Sequence, residues 1–272
     1  MTAKRKPSSK PILVTGGRGT LGRLVVDRLL AAGRNVRILS RHDGSAPPGV
    51  EVAVGDLATG EGIDDAVEGV DTIVHCAGGQ KGDDMKARHL VDSAATAGVR
   101  HIVYISVVGD ERVPAAKGLN HAMFGYFDSK LGAERVLEAS SVPWTTLHAT
   151  QFYDLIVKVA DAAARLPIVP LPSGFRFQPV DSGEVADRLV ELALGEPAGL
   201  VEDIAGPRVY GMDELFRSYL EAADKSRPIV QIPMPGSAAR AIREGAVLAP
   251  DHAVGRVTWE EFLTNHVRRA AA

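Results

Sequence analysis

Ile12-Leu13-Val14-Thr15-Gly16-Gly17-Arg18-Gly19-Thr20-Leu21-Gly22 divides at its first glycine. Ile12, Leu13 and Val14 form a short apolar run of the kind a buried strand needs. Gly16, Gly19 and Gly22 follow three apart. Beyond them Leu21, Leu24, Val25 and Leu29 recur at helical spacing, and Gly33 ends the pattern. A strand, a tight glycine turn and a helix in that order let a backbone approach closely. They also present the unpaired N–H groups of a helix N-terminus to a pyrophosphate. The flanking strand and helix make this more than a lone glycine cluster.

Outward from this stretch the beat continues. Apolar runs at 36–39, 50–54, 71–76, 101–105 and 144–147 read as strands, with helices over 85–97 and 127–139. Apolar strands alternating with helices predict a parallel sheet covered on both faces, an α/β fold of the Rossmann-type, doubly wound kind. After Thr150 the alternation is lost. Residues 166–172 carry three prolines and read as a loop; 182–194 and 212–223 read as helices, and 201–204 and 227–232 as short strands. Thr258-Trp259-Glu260-Glu261 has the capping-box pattern and opens a last helix. The expected organisation is a polar, basic terminus at 1–10, a dinucleotide-binding core at 11–150, and sheet-edge completion with a small substrate lobe at 151–272, interleaved with the core.

Composition narrows the class. The chain has 272 residues and a net charge of -3, which gives no electrostatic case for nucleic acid or an anionic membrane. No apolar run approaches the ~20 residues of a membrane span, and residues 1–10 lack the apolar centre of a signal peptide. The single Cys76 excludes an intrachain disulfide and suits a reducing cytoplasm. The scattered histidines have no metal-ligand spacing, so no metal is expected; His75 and His148 read as core or strand-end residues. Asp64-Asp65 and Asp83-Asp84 read as solvated turn or helix-start charges. A small-molecule substrate is expected, with the oligomeric state, monomer or dimer, left open.

The end of the second strand bears on the choice of dinucleotide. An acid there would bind the ribose hydroxyls of NAD; here the strand ends Leu39-Ser40-Arg41. Arg41, with Arg18 from the glycine turn, would fork onto a 2′-phosphate, which favours NADP. Asp43 lies two residues further on and keeps NAD possible.

Tyr126 and Lys130 stand at i and i+4, on one side of a helix that begins near Gly125. An ammonium beside a phenol stabilises the phenolate and makes the phenol a better acid near neutrality.

The Thr-Gly-x-x-Gly-x-x-Gly turn, Gly55-Asp56-Leu57 after the third strand and Tyr126-x-x-x-Lys130 together resemble a short-chain dehydrogenase/reductase. Ala149-Thr150-Gln151-Phe152, Pro179-Val180-Asp181 and Ala205-Gly206-Pro207 with Met212-Asp213-Glu214-Leu215 resemble its atypical, NmrA-like branch. The resemblance covers nearly the whole chain. It implies that Gly16, Gly19 and Gly22 hold the pyrophosphate with the amides of Thr20 and Leu21. Asp56 and Leu57 would border the adenine, and Cys76-Ala77-Gly78 would line the adenosine ribose. Lys130 would bond the nicotinamide ribose, Tyr126 would protonate a substrate carbonyl, and Thr150, Gln151 and Phe152 would lie near the nicotinamide. One departure concerns the hydroxyl that usually follows the fifth strand. Ser106 is the one available, either orienting the substrate carbonyl or serving as an ordinary strand-end serine.

The implied activity is NADP-dependent reduction of a small-molecule carbonyl. Two alternatives stay open: a non-catalytic NAD(P) sensor, and a tailoring enzyme of secondary metabolism using the same fold. Residues 110–121 would form a lip over the site, and Phe152, Tyr153, Phe175 and Phe177 are candidates for the substrate pocket, core packing being the alternative for at least two.

Overall fold

The structure is a computed structural model that describes residues 10–79, 81–109, 111–114 and 119–271, without the side chains of 119–124 and 267–271. The basic terminus up to residue 9 and, in the expected lip at 110–121, residues 110 and 115–118 lie outside the described residues. The chain forms two compact units that alternate along the sequence. The first comprises Met1–Ser106, Ser129–Leu147 and Ala186–Val201; the second comprises Val107–Asp128, His148–Val185 and Glu202–Ala272.

The first unit is built on a seven-stranded sheet. Its strands are β1 (Ile12–Thr15), β2 (Val36–Ser40), β3 (Val50–Val54), β4 (Thr72–His75), β5 (His101–Val107), β6 (Trp144–Ala149) and β9 (Gly199–Leu200). Their order is β3-β2-β1-β4-β5-β6-β9, with parallel pairing. The order therefore reverses between β1 and β4, and in such sheets that switch point opens a crevice at the strands' carboxyl ends. The parallel register pairs Val14 with Ile38 on one side and Val74 on the other.

Side chains alternate across the sheet as the strand period requires. Leu13, Ile73, Ile102 and Tyr104 join one core with α2 (Ile63–Val67), α3 (Asp83–Thr96) and the later turns of α4 (Leu119–Glu138). The opposite face carries α1 (Thr20–Ala31), whose Leu21, Val25, Val26 and Leu29 are buried. Arg28 of α1 pairs with Asp187 of α6 (Ser182–Leu194).

In the second unit α5 (Tyr153–Ala163), α7 (Met212–Ala222) and α9 (Trp259–Ala271) share a core in which Trp259 stacks on Phe262 and the Tyr153 ring packs tilted against both. Thr258 and Glu261 close the capping box at the start of α9: Glu261 N–H donates to Thr258 Oγ1 at 3.3 Å, and Thr258 N–H donates to Glu261 Oε2 at 2.9 Å. The short strands β8 (Arg176–Phe177) and β10 (Tyr210–Gly211) pair antiparallel, and α8 (Ser237–Arg243) packs on Phe127 and Phe175.

Three expectations are corrected here. Residues 166–172 are not all loop: β7 (Val169–Pro172) pairs in parallel with β11 (Ile229–Ile232). Val169 N–H donates to Pro228 O, just before β11, and Ser173 N–H donates to Ile232 O, so the alternate residues Pro170 and Pro172 turn their ring nitrogens to the other edge, where no donor is needed. Of 201–204 only Ile204 makes a bridge, to Ala149, and the edge strand lies just before it at Gly199–Leu200. The helix carrying Tyr126 begins at Leu119, a turn and a half ahead of Gly125.

Candidate dinucleotide site

A cleft of about 570 Å³ opens at the carboxyl ends of β1 to β4, all within the first unit. Gly16, Arg18, Gly19, Ser40, Arg41, Asp56, Leu57, Cys76, Ala77 and Gly78 all line it, so ten of the residues singled out from sequence meet in one place. The glycine turn explains why the backbone comes so close. Gly16 has φ +67, and a Cβ there would lie 2.9 Å from Ala77 N. A Cβ on Gly22 would lie 2.1 Å from Gly16 O, so only glycine lets α1 start directly under the turn. Gly22 is thus a packing residue, and neither it nor Thr20 nor Leu21 lines the cleft through its side chain.

These residues fit a dinucleotide. Gly19 caps α1 without any side-chain hydrogen bond, and the first turn holds no acid. The N–H groups of Thr20, Leu21 and Gly22 precede the first intrahelical bond, from Arg23 N–H to Gly19 O at 3.1 Å. They are positioned to take an anion.

At the end of β2 the Arg18 guanidinium folds over the following turn, donating to His42 O at 3.4 Å and Gly44 O at 3.2 Å. Ser40 Oγ donates to His42 O at 2.7 Å. Asp43 accepts from Gly44 N–H at 2.8 Å and is not among the lining residues, whereas the exposed Arg41 is. Past β3, Asp56 spends one carboxylate oxygen on Ala58 N–H, at 2.8 Å, and Leu57 is buried with its carbonyl 2.8 Å from His89 Nδ1.

The inner side of the cleft floor carries a buried lysine and aspartate. Lys130 is only 4% exposed; its Nζ lies 3.3 Å from both Tyr104 Oη and Ile105 O, and 3.7 Å from Asp83 Oδ2. A Cβ on Gly78 would touch Lys130 Nζ at 2.7 Å, which sets the ammonium directly under a lining residue. Burial lowers the Lys130 pKa and Asp83 opposes that shift. Burial, then the two lysines 130 and 86, lower His75 to about 3, so its ring is neutral; it stacks on Tyr104 at 5.2 Å. Burial pushes the Cys76 thiol up to about 12, which makes it a small apolar lining group and not a nucleophile.

The other expected site residues stand as follows. Ser106 lies inside β5, which runs on to Val107, and is 4% exposed. Tyr126 precedes Lys130 on α4 but belongs to the second unit, half-buried against Phe127 with ring centroids 5.9 Å apart. Thr150, Gln151 and Phe152 also belong to the second unit, where Thr150 N–H donates to Ile204 O at 3.0 Å and Phe152 bridges Val180. Thr150 Oγ1 and both amide atoms of Gln151 are buried without a protein partner. Tyr153 and Phe175 are core residues, at 0% and 4% exposure, which leaves Phe152 and Phe177 as the half-buried rings of the four.

Sequence reasoning missed Tyr104 and Lys86 and misread Asp83. Asp83 is no solvated charge: it is 1% exposed and accepts from Gly79 N–H at 3.0 Å and Lys86 Nζ at 2.8 Å. Asp84 beside it is exposed, so the pair gave no local signal of which member turns inward.

Known proteins bear on this geometry. The NAD(P)H-binding family matches residues 16–194. The photosystem II assembly factor Ycf39 of Trieres chinensis is 26% identical over 239 residues, 82% of this chain and 72% of that protein. The ceramide reductase of Caulobacter vibrioides is 26% identical over 245 residues, 83% and 74% of the respective chains. The NADPH-dependent quinone oxidoreductase of Escherichia coli, solved with NADPH, superposes with a TM-score of 0.76 at 16% identity, covering 94% of this chain and 99% of that one. No helix among the described residues is long and apolar enough to cross a membrane. With the glycine turn, the switch-point cleft and the buried lysine in place, the chain belongs to the NAD(P)H-binding family, in the atypical, NmrA-like branch of the short-chain dehydrogenases/reductases.

Proposed function

We propose that the protein is an NADP-dependent reductase of a small-molecule carbonyl. The observation that carries this reading is Lys130, an ammonium buried under Gly78 at the floor of the dinucleotide cleft, with a tyrosine four residues before it on the same helix. A buried cation with so little exposure is costly to retain without a task.

The cofactor, when bound, supplies hydride. The glycine turn and the N-terminus of α1 hold the pyrophosphate, and Asp56 and Leu57 border the adenine. Arg18 and Arg41, at the end of β2, take the 2′-phosphate and so set the preference for NADP over NAD. Lys130 holds the nicotinamide ribose and, as a cation, eases loss of the Tyr126 proton. Tyr126 gives that proton to the substrate carbonyl oxygen, and the phenolate is reprotonated from water. Ser106 orients the carbonyl, and Thr150, Gln151 and Phe152 border the nicotinamide; the orphaned amide of Gln151 is a group that a polar ligand would satisfy.

The test pairs binding with turnover. NADPH should bind about tenfold more tightly than NADH, and equal affinity would discard the arginine argument. Tyr126→Phe should lower turnover by about 100-fold or more while leaving NADPH affinity within a factor of about three. Undiminished turnover would remove Tyr126 as the acid. A second reading has its own support: one relative that spans most of this chain is named for assembly and not for a reaction. If NADPH binds but no carbonyl compound in a broad panel is reduced, a dinucleotide-sensing role takes precedence.

A further inference from the structure

Lys130 needs an anion, and the strand ends and the glycine turn supply none. Groups that face its ammonium come from four places: His75 and Cys76 at the end of β4, Tyr104 on β5, Asp83 and Lys86 on α3, and Glu134 one turn on along α4. His75 is neutral, the Cys76 thiol is protonated at neutral pH and Tyr104 is a phenol. Lys86 adds a second cation, with its Nζ 2.8 Å from Asp83 Oδ1. Two buried carboxylates act on Lys130, Glu134 on its own helix and Asp83 on α3; Asp83, 1% exposed, also reaches Lys86 and accepts from Gly79 N–H through both oxygens, at 3.0 and 3.1 Å. Its own N–H donates to Ser129 Oγ at 3.1 Å, which ties the start of α3 to the residue before Lys130. Asp83 thus joins the loop that lines the cleft, a lysine that lines the cleft and the lysine beneath it.

We propose that Asp83 is a positioning residue, whose carboxylate fixes the Lys130 ammonium under Gly78 and so determines how firmly the nicotinamide-ribose half of the cofactor is held. The proposal rests on the reading of this cleft as a dinucleotide site. It goes beyond that reading in assigning the grip on one half of the cofactor to a residue that need not touch it. Asp83 acts through Lys130, so its loss is selective: the adenosine half, held by the glycine turn and the end of β2, is indifferent to it. Its charge also keeps Lys130 protonated, so without it the lysine deprotonates at a lower pH.

The experiment uses the full chain and two probes, NADPH and adenosine 2′,5′-bisphosphate, which lacks the nicotinamide ribose. In Asp83→Asn the side-chain oxygen still accepts from Gly79, but the charge is gone. NADPH affinity should fall about tenfold and the bisphosphate affinity should not change. NADPH affinity followed from pH 6 upward should drop off at lower pH in the variant than in the wild type, a shift that a purely structural defect would not produce. Equal weakening of both probes, or of neither, would overturn the proposal. Wild-type protein that bound neither probe would instead overturn the underlying reading of the cleft. Asp83→Asn removes one of the two carboxylates that act on Lys130, so Asp83→Asn/Lys130→Met is compared with Lys130→Met as well. The double variant should bind NADPH no more weakly than the single one; a further loss would show that Asp83 does not act through Lys130.

Discussion

The two ends of the seven-stranded sheet have the same strands and opposite chemistry. At the carboxyl ends, β1 and β4 stop in glycines, α1 begins without a side-chain cap, and a cleft of about 570 Å³ results. At the amino ends a cavity of about 360 Å³ also forms, lined by Lys10, Arg34, Asp71, Arg100, His101 and Glu196 among others. There the charges close on each other: Lys10 and Arg100 both reach Asp71 at 2.9 Å. A cavity is therefore not what marks the candidate dinucleotide site. What marks it is backbone N–H groups left unspent where helices begin, and in a parallel α/β sheet the helices begin at the carboxyl ends.

The largest expected effect comes from filling a glycine at one end and not at the other. Gly22→Ala places a methyl 2.1 Å from a backbone oxygen, so the turn over α1 must move. NADPH affinity should fall by about 100-fold or more, the equivalent of about 3 kcal/mol of overpacking strain. Gly195→Ala lines the opposite cavity, where the nearest atoms lie 3.5 Å away, an ordinary contact. Its NADPH affinity should match the wild type. Titration of cofactor fluorescence checks both, and comparable losses would mean the glycine turn has no special part.

How much of this was legible beforehand follows the same division. The sheet order's raw material was local: short apolar runs of three to six residues, several of them followed by glycine, identified every strand from β1 to β6. Arg18, Arg41, Asp56 and Gly78 were readable because each stands at a fixed offset from such a strand. Asp83 was not, because its partners lie at Gly79, Lys86 and Lys130, and an aspartate doublet at a helix start looks the same whether one member is buried or neither is. The chain after Thr150 was harder for another reason. β8, β9 and β10 are two residues long, too short to carry a period, and β7 hides two prolines on its unpaired edge.

Each end also buries a histidine against a threonine: His75 Nδ1 lies 2.7 Å from Thr15 Oγ1 near the cleft, and His101 Nε2 lies 2.8 Å from Thr145 Oγ1 at the amino end. Burial lowers His75 to about 3 and His101 to about 4, from an ordinary 6.5. The unfolded chain then binds more protons than the folded one below 6.5, so stability is intact above that pH and lost as the pH falls. Each histidine should cost about 1.4 kcal/mol per pH unit in that window. His101 stops contributing near 4 and His75 near 3. Urea unfolding of His75→Asn and His101→Asn between pH 7 and 4.5 should show a flatter dependence than the wild type. An unchanged slope in either would mean that this ring takes up its proton without unfolding.

The smallest effect belongs to the charges at the amino end. Lys10 and Arg100 are more than half exposed where they meet Asp71, at 55% and 56%, so water competes for both. Asp71→Asn should cost no more than about 1 kcal/mol, a shift of a few degrees in Tm, and the deficit should shrink further in high salt. NADPH affinity should not change, in contrast to the selective loss expected of Asp83→Asn at the other end of the sheet. The two aspartates differ in their surroundings and not in their chemistry. One, at 15% exposure, is held by two long and half-exposed partners, and the other lies at 1% exposure among two ammoniums and a backbone N–H. If Asp71→Asn weakened cofactor binding as much as Asp83→Asn does, coupling would have to run the length of β4. The unspent N–H groups at the carboxyl ends would then not be sufficient to account for the site.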